Sequence, residues 1–306
     1  MSLRLAFDGL RGDLRFDVAM ARHTSWRVGG LAEMIYTPVD SEDLAHFLRQ
    51  LPADVPVTVL GLGSNVLIRD GGIRGVVVLT HDGTSAMRLE DDGTIYAPAG
   101  LTCAKLARLA AAQGKIDAAF LAGIPGTVGG ALAMNAGCYG SETWTYVLRV
   151  EVVTRAGERC VRTADEYDIS YRQVQRKEPS LPEIFTGAWF RFATGDVQSV
   201  ETAQAEIKTL LAKRLVSQPL ELPNAGSVFR NPSGDYAARL IESCGLKGLT
   251  VGGASVSEKH ANFIVNPKGA ARAADIETLI AQVQQRVEMK TGVRLQPEVK
   301  ILGEVV

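Results

Sequence analysis

Two glycine-rich stretches of this 306-residue chain have the residue types that cradle phosphate. The first, Gly61-Leu-Gly63-Ser64-Asn65, directly follows the apolar run Val57–Leu60. The second runs through Gly123, Ile124, Pro125, Gly126, Thr127, Gly129 and Gly130 to Asn135 and Gly137. A glycine inside a helix costs about 1 kcal/mol relative to alanine. Gly129 and Gly130, just inside an expected helix start, therefore mark a place where a side chain would obstruct something. One use is close approach of backbone N–H groups to an anion. Two such loops suit a ligand with more than one phosphate, such as a dinucleotide. Neither completes a standard motif: the first lacks the third glycine of GxGxxG, and no Lys-Ser/Thr pair follows either. Tight turns and close helix packing are the other reading of the same glycines. Three further segments hold more polar groups than packing needs. They are Tyr171-Arg172, the stretch from Asn224 to Pro232 with Ser227 after Gly226 and Asn231 four residues on, and Glu298 near the start of a terminal strand. Each also has a plain reading, as a surface ion-pair partner, a turn serine and a solvated carboxylate. No G-x-S-x-G elbow surrounds Ser227.

The elements that must position these residues read as α+β. A helix capped by Asp40 runs to about residue 51, and strands follow at 57–60 and 75–79. A strand at 94–97, a helix over 102–113 closed by Gly114, and the Ile124–Asn135 loop-helix come next. Arg155-Ala-Gly-Glu158 joins strands 147–154 and 159–163 as a hairpin, and 185–192 is a further strand. Helices are too few for a doubly wound sheet. The last section has a polar helix over 200–215, with Ile207, Leu210, Leu211 and Leu215 on one face. It continues with a helix at 236–244, a strand at 263–265, an amphipathic helix after Asp275 and a final strand over 293–302.

Composition narrows the class. The chain is 46% hydrophobic and 22% charged with a net charge of −1, which argues against nucleic-acid binding by bulk electrostatics. No apolar run approaches the ~20 residues of a membrane span, and the N-terminus has no signal-peptide pattern. Cys103, Cys138, Cys160 and Cys244 are scattered, as are His23, His46, His81 and His260. A reducing cytoplasm and no bound metal are expected.

Taken in order, the motifs resemble a known family. They are Thr24-Ser-Trp-Arg27-Val-Gly29-Gly30, Gly61–Asn65, Gly123–Gly130 with Met134-Asn-Ala-Gly137, Tyr171-Arg172, Asn224–Pro232, Val251-Gly-Gly253 with Glu258-Lys259-His260-Ala-Asn-Phe-Ile-Val-Asn266, and Gln296-Pro-Glu-Val299. This set resembles the UDP-N-acetylenolpyruvoylglucosamine reductase (MurB) family over residues 24–303. The short run from Arg172 to the strand near Phe185 matches the shorter, type II form. The chain departs from the family pattern at Ile169-Ser170, where Phe-Gly is usual, and at Val174, where Ser is common.

The resemblance implies a cytoplasmic flavoenzyme of peptidoglycan precursor synthesis, expected to be a monomer. It implies a two-part FAD-binding region of the vanillyl-alcohol-oxidase (PCMH) type plus a C-terminal α+β substrate-binding domain. The expected boundaries are 1–82, 83–198 and 199–306, with the C-terminal strand a candidate to return to the first. FAD is the implied cofactor and NADPH the co-substrate, used in turn with the UDP-sugar at one site. Hydride passes from flavin N5 to C3 of the enolpyruvyl group. Arg172 then matches the residue that holds the carboxylate, Glu298 the assisting glutamate and Ser227 the donor of a proton to C2. Arg27, Gly29, Gly30, Gly61, Gly63, Ser64, Asn65, Ile124, Pro125, Gly126, Thr127, Gly129, Gly130 and Asn135 match FAD-binding positions. Tyr171, Asn231, Lys259 and His260 are the candidates for substrate contacts. No metal is implied. The rival readings are an oxidase on the same scaffold and a non-catalytic nucleotide-binding or scaffold module.

Overall fold

A computed structural model describes residues 6–81, 86–178 and 182–306. In chain order its strands are β1 (Asp13–Ala19), β2 (Leu31–Thr37), β3 (Val57–Leu60), β4 (Val66–Ile68), β5 (Ile73–Leu79), β6 (Arg88–Leu89) and β7 (Ile95–Pro98). Then follow β8 (Gly137–Cys138), β9 (Ser141–Glu142), β10 (Val147–Thr154), β11 (Arg159–Thr163), β12 (Tyr167–Ser170), β13 (Gln173–Arg176) and β14 (Glu183–Phe190). The last are β15 (Thr250–Val251), β16 (Ala254–Val256), β17 (Ile264–Val265) and β18 (Lys300–Leu302). The helices are α1 (Ser41–Gln50), α2 (Cys103–Ala112), α3 (Val128–Met134), α4 (Val197–Ser217), α5 (Ala237–Ser243) and α6 (Ala273–Thr291). The mixture is α+β, as the sequence implied.

The chain divides into two compact units, each drawn from three stretches. Unit 1 is Met1–Arg15, Met34–Gly61 and Gly75–Ala212; unit 2 is Phe16–Glu33, Leu62–Arg74 and Lys213–Val306. β3 and β5 run parallel, and the four-stranded sheet that holds them is ordered β1-β2-β5-β3. Asp40 caps α1 by accepting from the Asp43 N–H, which satisfies one of the orphan donors of a helix start. A five-stranded antiparallel sheet, ordered β11-β10-β14-β7-β6, turns Val150, Val152, Ala188 and Phe190 into a core shared with Leu106, Ala107, Val128 and Leu132 of α2 and α3. Strand alternation puts Tyr96, Glu151 and Trp189 on the other face. There the Tyr96 hydroxyl donates to Glu151 at 2.8 Å across Gly187, where a Cβ would collide with the Tyr96 ring.

Unit 2 packs α6 through Ile276, Leu279, Ile280, Val283 and Val287 onto Trp26, Leu67, Val228, Phe229 and Ile264. Its sheets are β15-β16-β17 and the parallel pair β18-β4. Trp26 is wholly buried and donates its indole N–H to the Ile264 carbonyl at 2.7 Å.

Several elements differ from expectation. The final strand is confined to Lys300–Leu302; upstream of it Leu295 and Val299 point into the core, and Pro297 makes only an isolated bridge with Phe229. β1, β2 and the hairpin β12–β13 are additional. Leu215, placed on the apolar face of α4, is 61% exposed, while Ile207 is buried. Among the described residues no helix is long and apolar enough to cross a membrane.

Candidate functional site

Unit 2 brings together three of the residues singled out by type. The segment 228–230 pairs with 296–298: the Glu298 N–H donates to the Val228 carbonyl at 2.7 Å, and the Arg230 N–H to the Gln296 carbonyl at 2.9 Å. Ser227 therefore leads into a backbone pair whose other strand carries Glu298. The Asn65 side chain donates to the Glu298 carbonyl at 3.3 Å, and its own carbonyl accepts from the Lys300 N–H at 3.0 Å. The glycine turn before β4 is thus fastened beside Glu298. Glu298 is only 9% exposed, a position at which a carboxyl is held by its surroundings rather than by water.

Asn262, to which the sequence alone gives no role, braces this arrangement. It is 4% exposed. Its Oδ1 accepts from the Phe229 N–H at 2.9 Å, its Nδ2 donates to the Phe229 carbonyl at 2.8 Å, and its own carbonyl accepts from the Val228 N–H at 2.9 Å. One amide thereby replaces a missing neighbouring strand. The available signal was an Asn beside apolar Phe263 and Ile264, where a polar group needs a partner.

Other sequence candidates in unit 2 are used within the protein. Ser64 is half-buried in the turn, and Gly63 lies against the backbone of His23 and Thr24. A Cβ at Gly29 would fall 3.0 Å from the Ile68 Cβ, and one at Gly30 would strike the Asp70 carbonyl. Arg27 is exposed with left-handed backbone, φ 60°. Asn231 accepts from the Ala237 N–H at 3.1 Å at the start of α5. Lys259 donates to the Leu215 carbonyl at 2.7 Å and pairs with Glu221. His260 packs edge-on to Phe263, and its Nδ1 accepts from the Asn262 N–H at 3.3 Å. Burial, with the Lys247 charge adding to it, pushes the His260 pKa below the usual 6.5.

Unit 1 holds the second glycine stretch and Arg172. Ile124 is buried, Pro125 exposed, and the Gly126 carbonyl accepts from the Cys103 N–H. Thr127 caps α3. The first amides of α3 all have acceptors inside unit 1: Val128 on Leu101, Gly129 on Ala99, and Gly130 on the Thr127 hydroxyl. The glycines serve close approach instead. A Cβ at Gly61 would fall 2.5 Å from the Thr127 Oγ1, and one at Gly129 would fall 2.9 Å from the Ala99 Cβ. A Cβ at Gly130 would make only an ordinary contact, 3.7 Å from the Thr127 Oγ1. Tyr171 and Arg172 form the two-residue turn of the β12–β13 hairpin, with Ser170 opposite Gln173. Arg172 is left-handed, φ 57°, and its guanidinium lies 5.4 Å from the centroid of the Tyr171 ring.

A cleft of about 610 Å³ in unit 1 offers room for part of a nucleotide. Val39, Thr80, Pro98, Gly100, Phe185 and Thr186 line it. The Thr186 hydroxyl is buried with no hydrogen-bond partner among the described residues, the mark of a group waiting for a polar ligand atom. Its walls combine apolar residues with Asp40, Ser41, Arg88, Glu151 and Arg159, and an apolar surface with convergent polar groups fits a dinucleotide cofactor.

Comparison with known proteins gives the class. Residues 32–163 match the FAD binding domain model, and residues 218–302 match the model for the UDP-N-acetylenolpyruvoylglucosamine reductase C-terminal domain. The chain is an FAD-dependent oxidoreductase with an FAD-binding region of the PCMH type and a separate C-terminal domain. It is 52% identical to the UDP-N-acetylenolpyruvoylglucosamine reductase of Nitrosospira multiformis, over 99% of this chain and 92% of that one. It is 53% identical to that of Coxiella burnetii, over 97% and 98%. The crystal structure of the Thermus caldophilus enzyme superposes with a TM-score of 0.79 at 32% identity, over 96% and 99%. 6-Hydroxy-D-nicotine oxidase of Arthrobacter nicotinovorans shares the fold, with a TM-score of 0.55 at 14% identity, over 96% and 89%. The chain belongs to the UDP-N-acetylenolpyruvoylglucosamine reductase family.

Proposed function

We propose that this protein reduces the enolpyruvyl ether of UDP-N-acetylenolpyruvoylglucosamine to UDP-N-acetylmuramate, with NADPH as the electron source. FAD, when bound, supplies hydride chemistry between the two substrates. Thr186 and the cleft walls hold its nucleotide half, and Gly130 leaves room for the cofactor to approach α3. NADPH and the sugar nucleotide use the flavin in turn, in keeping with the cytoplasmic supply of both.

Three side chains then act on the sugar nucleotide. Hydride addition at C3 leaves negative charge at C2 that spreads into the adjacent carboxylate. Arg172 meets that carboxylate with a planar fork of donors, and a fixed cation is the strongest way to stabilise such charge. Glu298 assists as a neutral acid or through a water, since a bare anion would repel the developing charge. Ser227 gives its hydroxyl proton to C2. The observation that carries this reading is the backbone pairing of 228–230 with 296–298, which Ser227 leads into and Glu298 belongs to, clamped by Asn262.

The test separates two half-reactions. Ser227→Ala should bind FAD, and NADPH should bleach it at near the wild-type rate. Reoxidation by the enolpyruvyl substrate should slow by ~10²–10⁴, the usual worth of a general acid. Ser227→Cys should be less damaged. Equal slowing of both steps, or of neither, removes Ser227 from the role.

A further inference from the structure

Asn135 ends α3 in a left-handed conformation, φ 42°. It is 2% exposed. Its side chain makes three hydrogen bonds inside unit 1. Oδ1 accepts from the Trp144 N–H at 3.1 Å. Nδ2 donates to the Glu142 Oε2 at 2.8 Å and to the Ser170 carbonyl at 3.4 Å. An amide nitrogen has two hydrogens and both are committed. The N–H of Trp144 and the carboxylate of Glu142 fix which end of the amide is which. Both amide hydrogens are spent inside the protein, so the side chain has no donor left for a cofactor.

The third bond points elsewhere. Ser170 is the last residue of β12, two before Arg172. Arg172 occupies the region of backbone space that non-glycine residues avoid, so its surroundings must hold it there. The base of the hairpin is fixed by charge. The Arg176 guanidinium lies 3.0 Å from Glu166, and Tyr167 donates to Glu183 at 3.0 Å. Toward the tip, the Asn135 amide ties the hairpin to the end of α3.

We propose that Asn135 is a positioning residue for Arg172: its amide couples the end of the glycine-rich helix to the hairpin and so sets where the guanidinium stands. The inference rests on the role given to Arg172 above. Asn135 acts through Arg172, so it matters only in the step that Arg172 serves.

The test is a double-mutant cycle on the FAD-loaded enzyme. Asn135→Gly keeps the left-handed backbone available and deletes the amide. FAD affinity, read by flavin fluorescence, and bleaching by NADPH should stay within about two-fold. Reoxidation by UDP-N-acetylenolpyruvoylglucosamine should slow roughly 10- to 100-fold, the scale of a group displaced by up to about an ångström. In an Arg172→Ala background the same change should add almost nothing. A comparable loss in both backgrounds, a loss of FAD affinity, or equal slowing of bleaching overturns the proposal. Should Asn135→Gly fail to fold, Glu142→Ala decides alone, because it leaves the helix end intact and removes the acceptor that aims Nδ2. Wild-type reoxidation in that variant refutes the coupling. If Arg172→Ala itself reoxidises normally, it is the reading of Arg172 that has failed.

Discussion

Removing the Asn262 side chain should cost stability out of proportion to its size. Asn262→Ala deletes two hydrogen bonds to the Phe229 backbone and leaves that residue's N–H and carbonyl unsatisfied. Phe229 is only 2% exposed, so water cannot replace the amide without opening the core. A buried polar group left without a partner costs about 1–3 kcal/mol. Two of them give roughly 2–6 kcal/mol, against the 5–15 kcal/mol typical of a whole domain. The Val228 N–H bond to the Asn262 carbonyl is backbone to backbone and survives. Asn262→Asp is the sharper control. It keeps an acceptor for the Phe229 N–H but turns lone pairs toward the Phe229 carbonyl, so at neutral pH it should be at least as damaging. Urea unfolding of both variants measures the loss. Turnover should fall with it, because the strand that loosens is the one Ser227 leads into. A loss below about 1 kcal/mol for Asn262→Ala would show that the paired segments hold themselves.

The two adjacent glycines of α3 should respond differently. Gly129→Val must push against Ala99 and should destabilise by about 1–3 kcal/mol, as overpacking does. A Cβ at Gly130 meets nothing closer than 3.7 Å, so Gly130→Val should fold and yet bind FAD more weakly on titration; unaltered FAD affinity would place the cofactor elsewhere. His260 should impose a slope on stability against pH. Burial lowers its folded pKa below 6.5, so on acidification the unfolded chain takes up the proton first and stability falls as pH drops through 6.5. His260→Gln should flatten the urea midpoints between pH 5 and about 7.5, and an unchanged slope would remove His260 as its source.

What was legible followed from strong local signals. The Asp40 cap, the apolar stripe of α6 and the hairpin across Arg155–Glu158 all appear as read, because capping and periodicity act within a few residues. β1 alternates half-buried and exposed residues too weakly to stand out, and β2 is defined by its neighbours in the sheet. Leu215 obeyed helical spacing and is nonetheless exposed, since periodicity says which face and not how far cover extends. At the proposed site, residue type singled out Ser227, Arg172 and Glu298, and the family resemblance supplied their roles. The partners that hold them, Asn262 and Asn135, act across 33 and 35 residues, a separation that no local pattern records. The helix-start amides of α3 looked free for an anion in the sequence because their acceptors, Leu101 and Ala99, lie a full helix upstream.

The anchoring of Trp26 sets a timetable for synthesis. Its indole acceptor, Ile264, lies 238 residues downstream. A ribosome adding about 5–20 residues per second needs roughly 10–50 s to cover that distance. From residue 67 to residue 224 Trp26, Val28 and Leu67 have been made, but the residues 225–301 that bury them have not. The growing chain therefore carries an orphaned apolar cluster for most of its translation. Unit 2 can be completed only after residues 225–301 are made, when all of unit 1 has already been synthesised. Slowing elongation late in the message should lengthen the exposure without changing the folded product, and aggregation during translation would be the cost.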